Sequence, residues 1–397
     1  MKIGIYGGSF NPPHTGHVLA VSELMKLLHL DRMLIVPAAD PPHKSLPDGS
    51  PTPAERLQLC RAAFAGIPGV EICDLEIRRG GKSYTVDTMS ALREQSPHDE
   101  FYLVMGTDMF LSFSTWREAE RIAAMAALVV MHRDNQTETW ESVSREAERL
   151  RHAMNARVIA VENRCEQISS TTVRRLLAFR APAFLTPEAQ ELIFANGWYL
   201  TGSDMKGLPF DRLRELSLSL HKESRRAHVI GTADTALALA EHWGADPEAA
   251  RRAGILHDIT KALSGREQLH LCSRYQMTLS TLQRENPKLL HAKTGAIVAR
   301  EIFGESEAVF RAIWWHTTGR AEMSLLEKIL YIADYMEPNR CFPGVEVLRD
   351  LVWKDLDVAV FCGLDQAVAH VRNQGMPLDT DSLAAWNFYR NHDREEL

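Results

Sequence analysis

The sequence predicts an α/β doubly wound parallel sheet over its first half, followed by an all-α domain. Three observations carry this. Residues 2–28 run strand, glycine-rich turn, helix. Strand-like and helix-like runs then alternate to about residue 200. After a polar, turn-rich stretch, strand-like runs nearly vanish and 3.6-residue periodicity takes over. In order, Lys2-Ile3-Gly4-Ile5-Tyr6 reads as a buried strand and His17–Leu28 as an amphipathic helix. Arg32–Pro37 is a second strand, Pro53–Phe64 a helix, Val70–Ile77 strand-like and Thr85–Glu94 helical. Phe101–Gly106 is a strand, Thr115–Ala126 a helix, and Ala127–Met131 and Arg157–Val161 are further strands. The pattern breaks over Gly197–Pro209, giving expected domains at 1–200 and 211–397 with a linker at 201–210. Helical periodicity follows over His228–His242, Pro247–His257, Thr294–Phe303 and Leu325–Met336.

At 397 residues each half can bury its own core. A hydrophobic content of 45% with 24% charged residues is that of an ordinary soluble protein. The net charge of -7 is shared evenly between the halves, and no basic stripe suggests a nucleic-acid groove. Cys60, Cys73, Cys165, Cys272, Cys341 and Cys362 are scattered without a C-x-x-C spacing, which favours free thiols in a reducing compartment. The start runs directly into a strand, with no signal peptide, and no apolar segment reaches membrane-spanning length. The cytoplasm is therefore the expected location, without a membrane partner. The pattern leaves open whether the chain self-associates.

The first turn, Gly7-Gly8-Ser9-Phe10-Asn11-Pro12-Pro13-His14-Thr15-Gly16-His17, presents backbone N–H groups where a phosphate would sit. His14 and His17, three apart at a helix start, lie on one face and can donate to the same anion. Gly7 and Gly8 let the backbone approach closely, and Lys44 is a point charge suited to a triphosphate. The turn is neither G-x-G-x-x-G nor a Walker loop. It resembles the H-x-G-H turn of the nucleotidyltransferase superfamily, in the form found in bacterial nicotinate mononucleotide adenylyltransferases. The resemblance extends over the first 200 residues through Ser83-Tyr84-Thr85, Gly106-x-Asp108 with Trp116, and Ile168-Ser169-Ser170-Thr171-Thr172-Val173-Arg174. It implies a Rossmann-like unit that binds ATP, with Mg²⁺ on its phosphates, through Gly7, Gly8, Ser9, Phe10, His14, His17, Ser169, Ser170 and Arg174. It further implies a nicotinate mononucleotide pocket at Lys44, Tyr84, Thr85, Asp108 and Trp116, the indole stacking on the pyridine. His14, His17, Lys44 and Arg174 would serve catalysis by aligning and neutralising phosphates. Arg117 departs from relatives that carry an aromatic there, and Ser169 reads equally well as an ordinary helix cap.

The second half carries His257-Asp258 after an apolar run, with His228 upstream and His291, His316 and Asp334 downstream. A second pair, His392-Asp393, sits in the charged tail and reads as solvated surface. Four histidines and two aspartates in apolar helical sequence are costly to bury unpaired, and a metal centre resolves that cost. Imidazole with carboxylate suits Fe, Mn, Zn or Ni, and six ligands exceed one tetrahedral zinc. Two metals bridged by Asp258 are expected, activating a water for attack on phosphorus. The order resembles the HD-domain metal phosphohydrolases. The stretches His316-Thr317-Thr318-Gly319-Arg320, Leu325 to Arg340 and Phe342 to Glu346 narrow this to symmetrical diadenosine tetraphosphate hydrolases. That resemblance implies an iron-containing dinuclear site cleaving its substrate to two ADP. It adds Lys261, Thr317, Arg320, Asn339 and Arg340 as phosphate contacts, Lys261 also serving catalysis.

The expected function is a fusion. One half makes deamido-NAD and pyrophosphate from ATP and nicotinate mononucleotide; the other hydrolyses diadenosine tetraphosphate. Other readings stay open. The second half could be a nucleotide sensor or a different nucleotide phosphohydrolase, and the first could transfer adenylyl to phosphopantetheine.

Overall fold

A computed structural model describes residues 1–42, 45–47, 49–132, 137–162 and 168–392. Lys44, Cys165 and Asp393 of the sequence reading lie outside the described residues. The chain divides into two compact units, Met1–Ser203 and Asp204–Leu397. Among the described residues no helix is long and apolar enough to cross a membrane, and Cys60, Cys73, Cys272 and Cys341 are free thiols.

The first unit is built on six parallel strands: β1 Lys2–Gly8, β2 Arg32–Pro37, β3 Val70–Ile72, β4 Glu100–Gly106, β5 Ala126–His132 and β6 Val158–Glu162, in the order β3-β2-β1-β4-β5-β6. The strands are continuous apolar runs because helices cover both faces of the sheet. Ile3, Ile5, Leu34, Val36, Leu103 and Val130 enter one core; Tyr6, Met33, Ile35, Val104 and Val129 enter the other. A Cβ at Gly4, on the second face, would lie 2.7 Å from the end of the Met33 side chain, which would have to shift. Chain direction across the sheet reverses between β1 and β4. That is the topological switch point, where a crevice opens beyond the carboxyl ends of the strands. Both strands end in glycine there, Gly8 and Gly106.

Two stretches differ from the periodicity reading. Val70–Ile77 is strand only to Ile72. Asp74 then precedes a short helix, Leu75–Arg79, because an apolar run of this length does not distinguish strand from helix. Thr115–Ala126 is not one helix: a 3₁₀ turn spans Phe113–Thr115, Glu118 takes φ 53, and the α-helix runs only over Ala119–Met125. Helices Thr107–Leu111, Thr137–Met154 and Pro187–Asn196 add to those read from the sequence.

The second unit is all-α, with principal helices Glu223–Trp243, Pro247–Leu256, His291–Phe303, Glu307–Trp315, Leu325–Met336 and Leu356–Asn373. Stop and start signals are local. Gly244 and Gly304 end helices in the left-handed region, and Asp246, Ser306 and Ser324 accept backbone N–H groups as N-caps. Glu223–Trp243 and Pro247–Leu256 approach closely at Gly254, where a Cβ would lie 2.5 Å from Ala233 Cα. That contact is backbone and cannot swing aside. Gly254→Ala should therefore destabilise the second unit by about 1–3 kcal/mol. Calorimetry would show one unfolding transition shifted down; an unchanged thermogram contradicts the packing account.

Candidate active sites of the two units

In the first unit, helix Thr15–Leu27 begins just beyond the end of β1, with His14 as its N-cap. The rings of His14 and His17 stack at 3.6 Å between centroids, and His17 Nδ1 accepts the His14 N–H at 3.1 Å. The pair therefore moves as one block at a helix N-terminus, where the macrodipole favours an anion. His14 is buried. Nothing lies within 4 Å of a Cβ at Gly7, so any need for glycine there comes from a ligand, whereas a Cβ at Gly8 would meet the Phe10 ring at 3.2 Å. The Phe10 ring is core, packed edge-on against Tyr6, Phe64 and His17.

The turn is braced from three sides. Tyr199 Oη donates to Asn11 Oδ1 at 2.8 Å, Ser170 Oγ to the Pro12 carbonyl at 2.8 Å, and Arg174 to the Asn11 carbonyl at 2.5 Å. Burial lowers the pKa of Arg174 from its ordinary value. Ser169 acts as a cap, its Oγ accepting the Thr172 N–H at 3.1 Å. Sequence reading missed Arg56, which is fully buried and donates to the carbonyls of Ser9 (2.7 Å), Ala38 (2.7 Å) and Ala39 (3.0 Å). Its signal was available: Arg56 precedes Leu59, Cys60 and Ala63 on the buried face of its helix.

Beyond β4, Asp108 is exposed in the first turn of Thr107–Leu111. Trp116 is half-buried against Phe113, with ring centroids 5.3 Å apart. Arg117 lies over the Tyr84 ring at 4.9 Å, so the position that departs from relatives covers one face of that tyrosine. Tyr84 and Thr85 open helix Thr85–Gln95, half-buried.

In the second unit all six expected ligands converge. His257 Nδ1, His291 Nδ1 and His316 Nδ1 meet the carbonyls of Gly254 (2.7 Å), Lys288 (2.7 Å) and Ile313 (2.6 Å). A carbonyl only accepts, so each Nδ1 carries a proton and each Nε2 is turned inward. His228 differs: its Nδ1 donates to the buried Glu337 carboxylate at 3.0 Å. His228 Nε2 then lies 3.2 Å from His257 Nε2 and 3.1 Å from Asp334 Oδ1. Two inward ring nitrogens this close need a proton or a cation between them. Asp258 Oδ1 is buried with no hydrogen-bond partner among the described residues, 3.5 Å from His291 Nε2 and 3.7 Å from His316 Nε2. The donor atoms form two overlapping groups, His228, His257, Asp334 and His257, Asp258, His316, each with its atoms within 4.8 Å of one another. The residues fit a divalent cation: the ligands are oriented, and a buried carboxylate oxygen is left without a hydrogen bond among the described residues.

Side-chain cations already answer the negative charge. Arg225 donates to Asp258 Oδ2 at 2.8 Å, Arg340 to Asp334 Oδ1 at 2.7 Å, and Lys261 Nζ takes the lone pair of His291 Nε2 at 2.8 Å. Burial opposes ionisation of Asp258, but His257 and His316 hold it well below the usual carboxylate range; His228 and His257 do the same for Asp334. Burial disfavours a charged His257, yet Asp258 and Asp334 raise it to about 9. His291 is pushed down to about 3 by burial and Lys261. Thr317 Oγ1 sits 3.2 Å from Nε2 of both His291 and His316. Arg320 pairs with the buried Glu327 at 2.8 Å, and Asn339 donates through its N–H and its amide to Glu337 Oε2, each at 2.8 Å. Both are thus engaged in bracing. Glu337 and Arg225 carried no assignment in the sequence reading, although Glu337 falls inside a stretch it singled out. Gly231 makes room for Glu337, since a Cβ there would lie 2.4 Å from Oε2.

Fold and sites together define a nucleotidyltransferase-type α/β unit followed by a helical unit with a histidine–aspartate cluster that could hold metal. The Cytidylyltransferase-like family model matches residues 5–176, and the HD domain model residues 225–339. A probable nicotinate-nucleotide adenylyltransferase of Syntrophotalea carbinolica is 38% identical over 213 residues, covering 50% of this chain and 97% of that one. A symmetrical bis(5'-nucleosyl)-tetraphosphatase of Bacillus subtilis is 38% identical over 167 residues, covering 42% and 89%. One from Halalkalibacterium halodurans is 40% identical over 166 residues, covering 42% and 88%. The chain belongs to both families, its first half to the nicotinate-nucleotide adenylyltransferases and its second to the HD-domain symmetrical bis(5'-nucleosyl)-tetraphosphatases.

If Glu337 fixes the ring and tautomer of His228, Glu337→Gln should weaken divalent-cation binding by about 10–100-fold. Titration calorimetry with Mn²⁺ on the full chain reads this directly. Unchanged affinity in the variant contradicts the orienting role.

Proposed function

We propose that the chain is a bifunctional enzyme. Its first unit transfers the adenylyl group of ATP to nicotinate mononucleotide, giving deamido-NAD and pyrophosphate. Its second hydrolyses diadenosine tetraphosphate to two ADP at a dinuclear metal site.

For the first activity, the supporting observation is the stacked His14–His17 pair at a helix N-terminus in the crevice beyond β1 and β4. The acceptor phosphate of the mononucleotide is itself the nucleophile, so this unit has to align two phosphates and neutralise charge in transit. His14 and His17 donate to the ATP phosphates, with Gly7, Gly8, Ser9, the Phe10 backbone, Ser169, Ser170 and Arg174 around them. Lys44 adds a point charge. Tyr84, Thr85, Asp108 and Trp116 form the pyridine pocket, and Mg²⁺ enters with ATP. No covalent enzyme intermediate forms. His17→Ala should lower kcat for adenylyl transfer by about 10²–10³ without changing the unit's melting temperature. Unchanged turnover removes His17 from the mechanism.

For the second, the support is the convergence of His228, His257, Asp258, His291, His316 and Asp334, with one Asp258 oxygen buried without a hydrogen bond among the described residues. These residues would hold two cations, iron in this reading, with Asp258 the ligand proposed to serve both, and the cations would supply Lewis-acid charge and a nucleophilic water. Arg225 and Arg340 sit at the margins, where they can pass from the carboxylates to substrate phosphates, and Lys261 and Thr317 flank His291. Asp258→Ala should lose both hydrolysis and bound metal while leaving adenylyl transfer intact. Two metals per chain retained in the variant, read by elemental analysis, would refute the bridging assignment. In this reading the chain works in the cytoplasm on small nucleotides.

A further inference from the structure

Arg56 is a full positive charge buried at 0% exposure, and among the described residues no carboxylate pairs with it. Such a residue is expensive to keep for stability alone, because its desolvation is not repaid by an opposite charge. What it grips is informative. The two arms of the guanidinium join the loop after β1, at the Ser9 carbonyl, to the loop after β2, at the Ala38 and Ala39 carbonyls. The Ala38 N–H donates to the Gly8 carbonyl at 2.9 Å, and the Ala39 N–H to Ser83 Oγ at 2.9 Å. Arg56 thus ties two loops directly, and Ser83 joins a third segment to the second of them.

The grip has a directional consequence. Phe10 takes φ 42, in the left-handed region that a bulky residue avoids. The Ser9–Phe10 peptide is trans, so its N–H points opposite to its C=O. With the Ser9 carbonyl held by Arg56, the Phe10 N–H faces away from the guanidinium, and no described residue accepts it. Packing of the Phe10 ring and the bond to Ser9 together over-determine a strained conformation.

We propose that Arg56 is a positioning residue for adenylyl transfer, fixing the Ser9–Phe10 peptide so that its N–H is aimed at an ATP phosphate. This rests on the adenylyl-transfer reading of the first unit. The ligand it serves is the nucleoside triphosphate and not the mononucleotide acceptor, because the braced peptide belongs to the turn beyond β1. Lysine cannot replace it, since a single ammonium does not span carbonyls on two loops as the planar fork does.

The test uses the full chain with Arg56→Lys, following KM and kcat for ATP and for nicotinate mononucleotide separately, with melting temperature as the fold control. KM for ATP should rise, or kcat/KM for ATP fall, by about 10–100-fold, with KM for the mononucleotide within about twofold. Arg56→Gln buries no charge and serves if the lysine variant does not fold. ATP kinetics within about twofold of wild type in a folded variant overturn the proposal. So does an equal KM increase for both substrates, which marks general loosening of the fold. A wild-type chain that transfers no adenylyl group at all would sink the parent reading first, and the assignment of Arg56 with it.

Discussion

Burying charge is costly, and each unit does so where its chemistry is proposed, the first without an opposite charge among the described residues and the second with Arg225, Arg340 and Lys261 beside its carboxylates. In the first, Arg56 gives its hydrogen bonds only to backbone carbonyls, and Arg174 likewise spends itself on the Asn11 carbonyl and Thr171. The net excess is positive, beside a helix N-terminus that also favours an anion. In the second, Asp258 has one oxygen hydrogen-bonded to Arg225 and the other buried without a hydrogen bond among the described residues, 3.8 Å from Lys261 Nζ and inside a ring of imidazoles turned nitrogen-inward. The inward lone pairs there suit a cation. Much of the remaining local structure keeps these groups in place: the capped helices, the small residues at Gly231 and Gly254, and the carbonyls that receive the Nδ1 protons.

The division of labour follows from those signs. A unit that presents donors and cations at a sheet switch point can hold and align phosphates without supplying a nucleophile. A unit that presents carboxylates and imidazoles can hold metal and act on phosphoanhydrides in water. Both therefore handle nucleotide phosphates, with opposite charge logic, in one chain.

The sequence made much of this readable because the signals are local. A short apolar run followed at once by glycines, prolines and paired histidines specifies strand, turn and helix start within seventeen residues. In the second half, histidines and aspartates embedded in apolar helical sequence are chemically conspicuous, and all six meet in space. What stayed illegible depends on contacts distant along the chain. Arg56 lies 47 residues from Ser9, and Glu337 109 residues from His228. No window of periodicity reports such pairs, although an arginine on the buried face of its helix was a usable hint. Arg320 and Asn339, which the family resemblance offered as phosphate contacts, are held in this fold by Glu327 and Glu337, partners no sequence window showed. Val70–Ile77 and Thr115–Ala126 failed for a different reason, since short apolar stretches do not fix backbone type and a single left-handed residue, Glu118, interrupts the second.

The most direct measurement is product analysis after anaerobic incubation of the full chain with Fe²⁺ and diadenosine tetraphosphate, resolving nucleotides by chromatography. The account requires ADP as the sole product, formed only when metal is present. ATP with AMP would contradict symmetric cleavage, and no turnover with two metals bound would contradict the hydrolase assignment of the second unit.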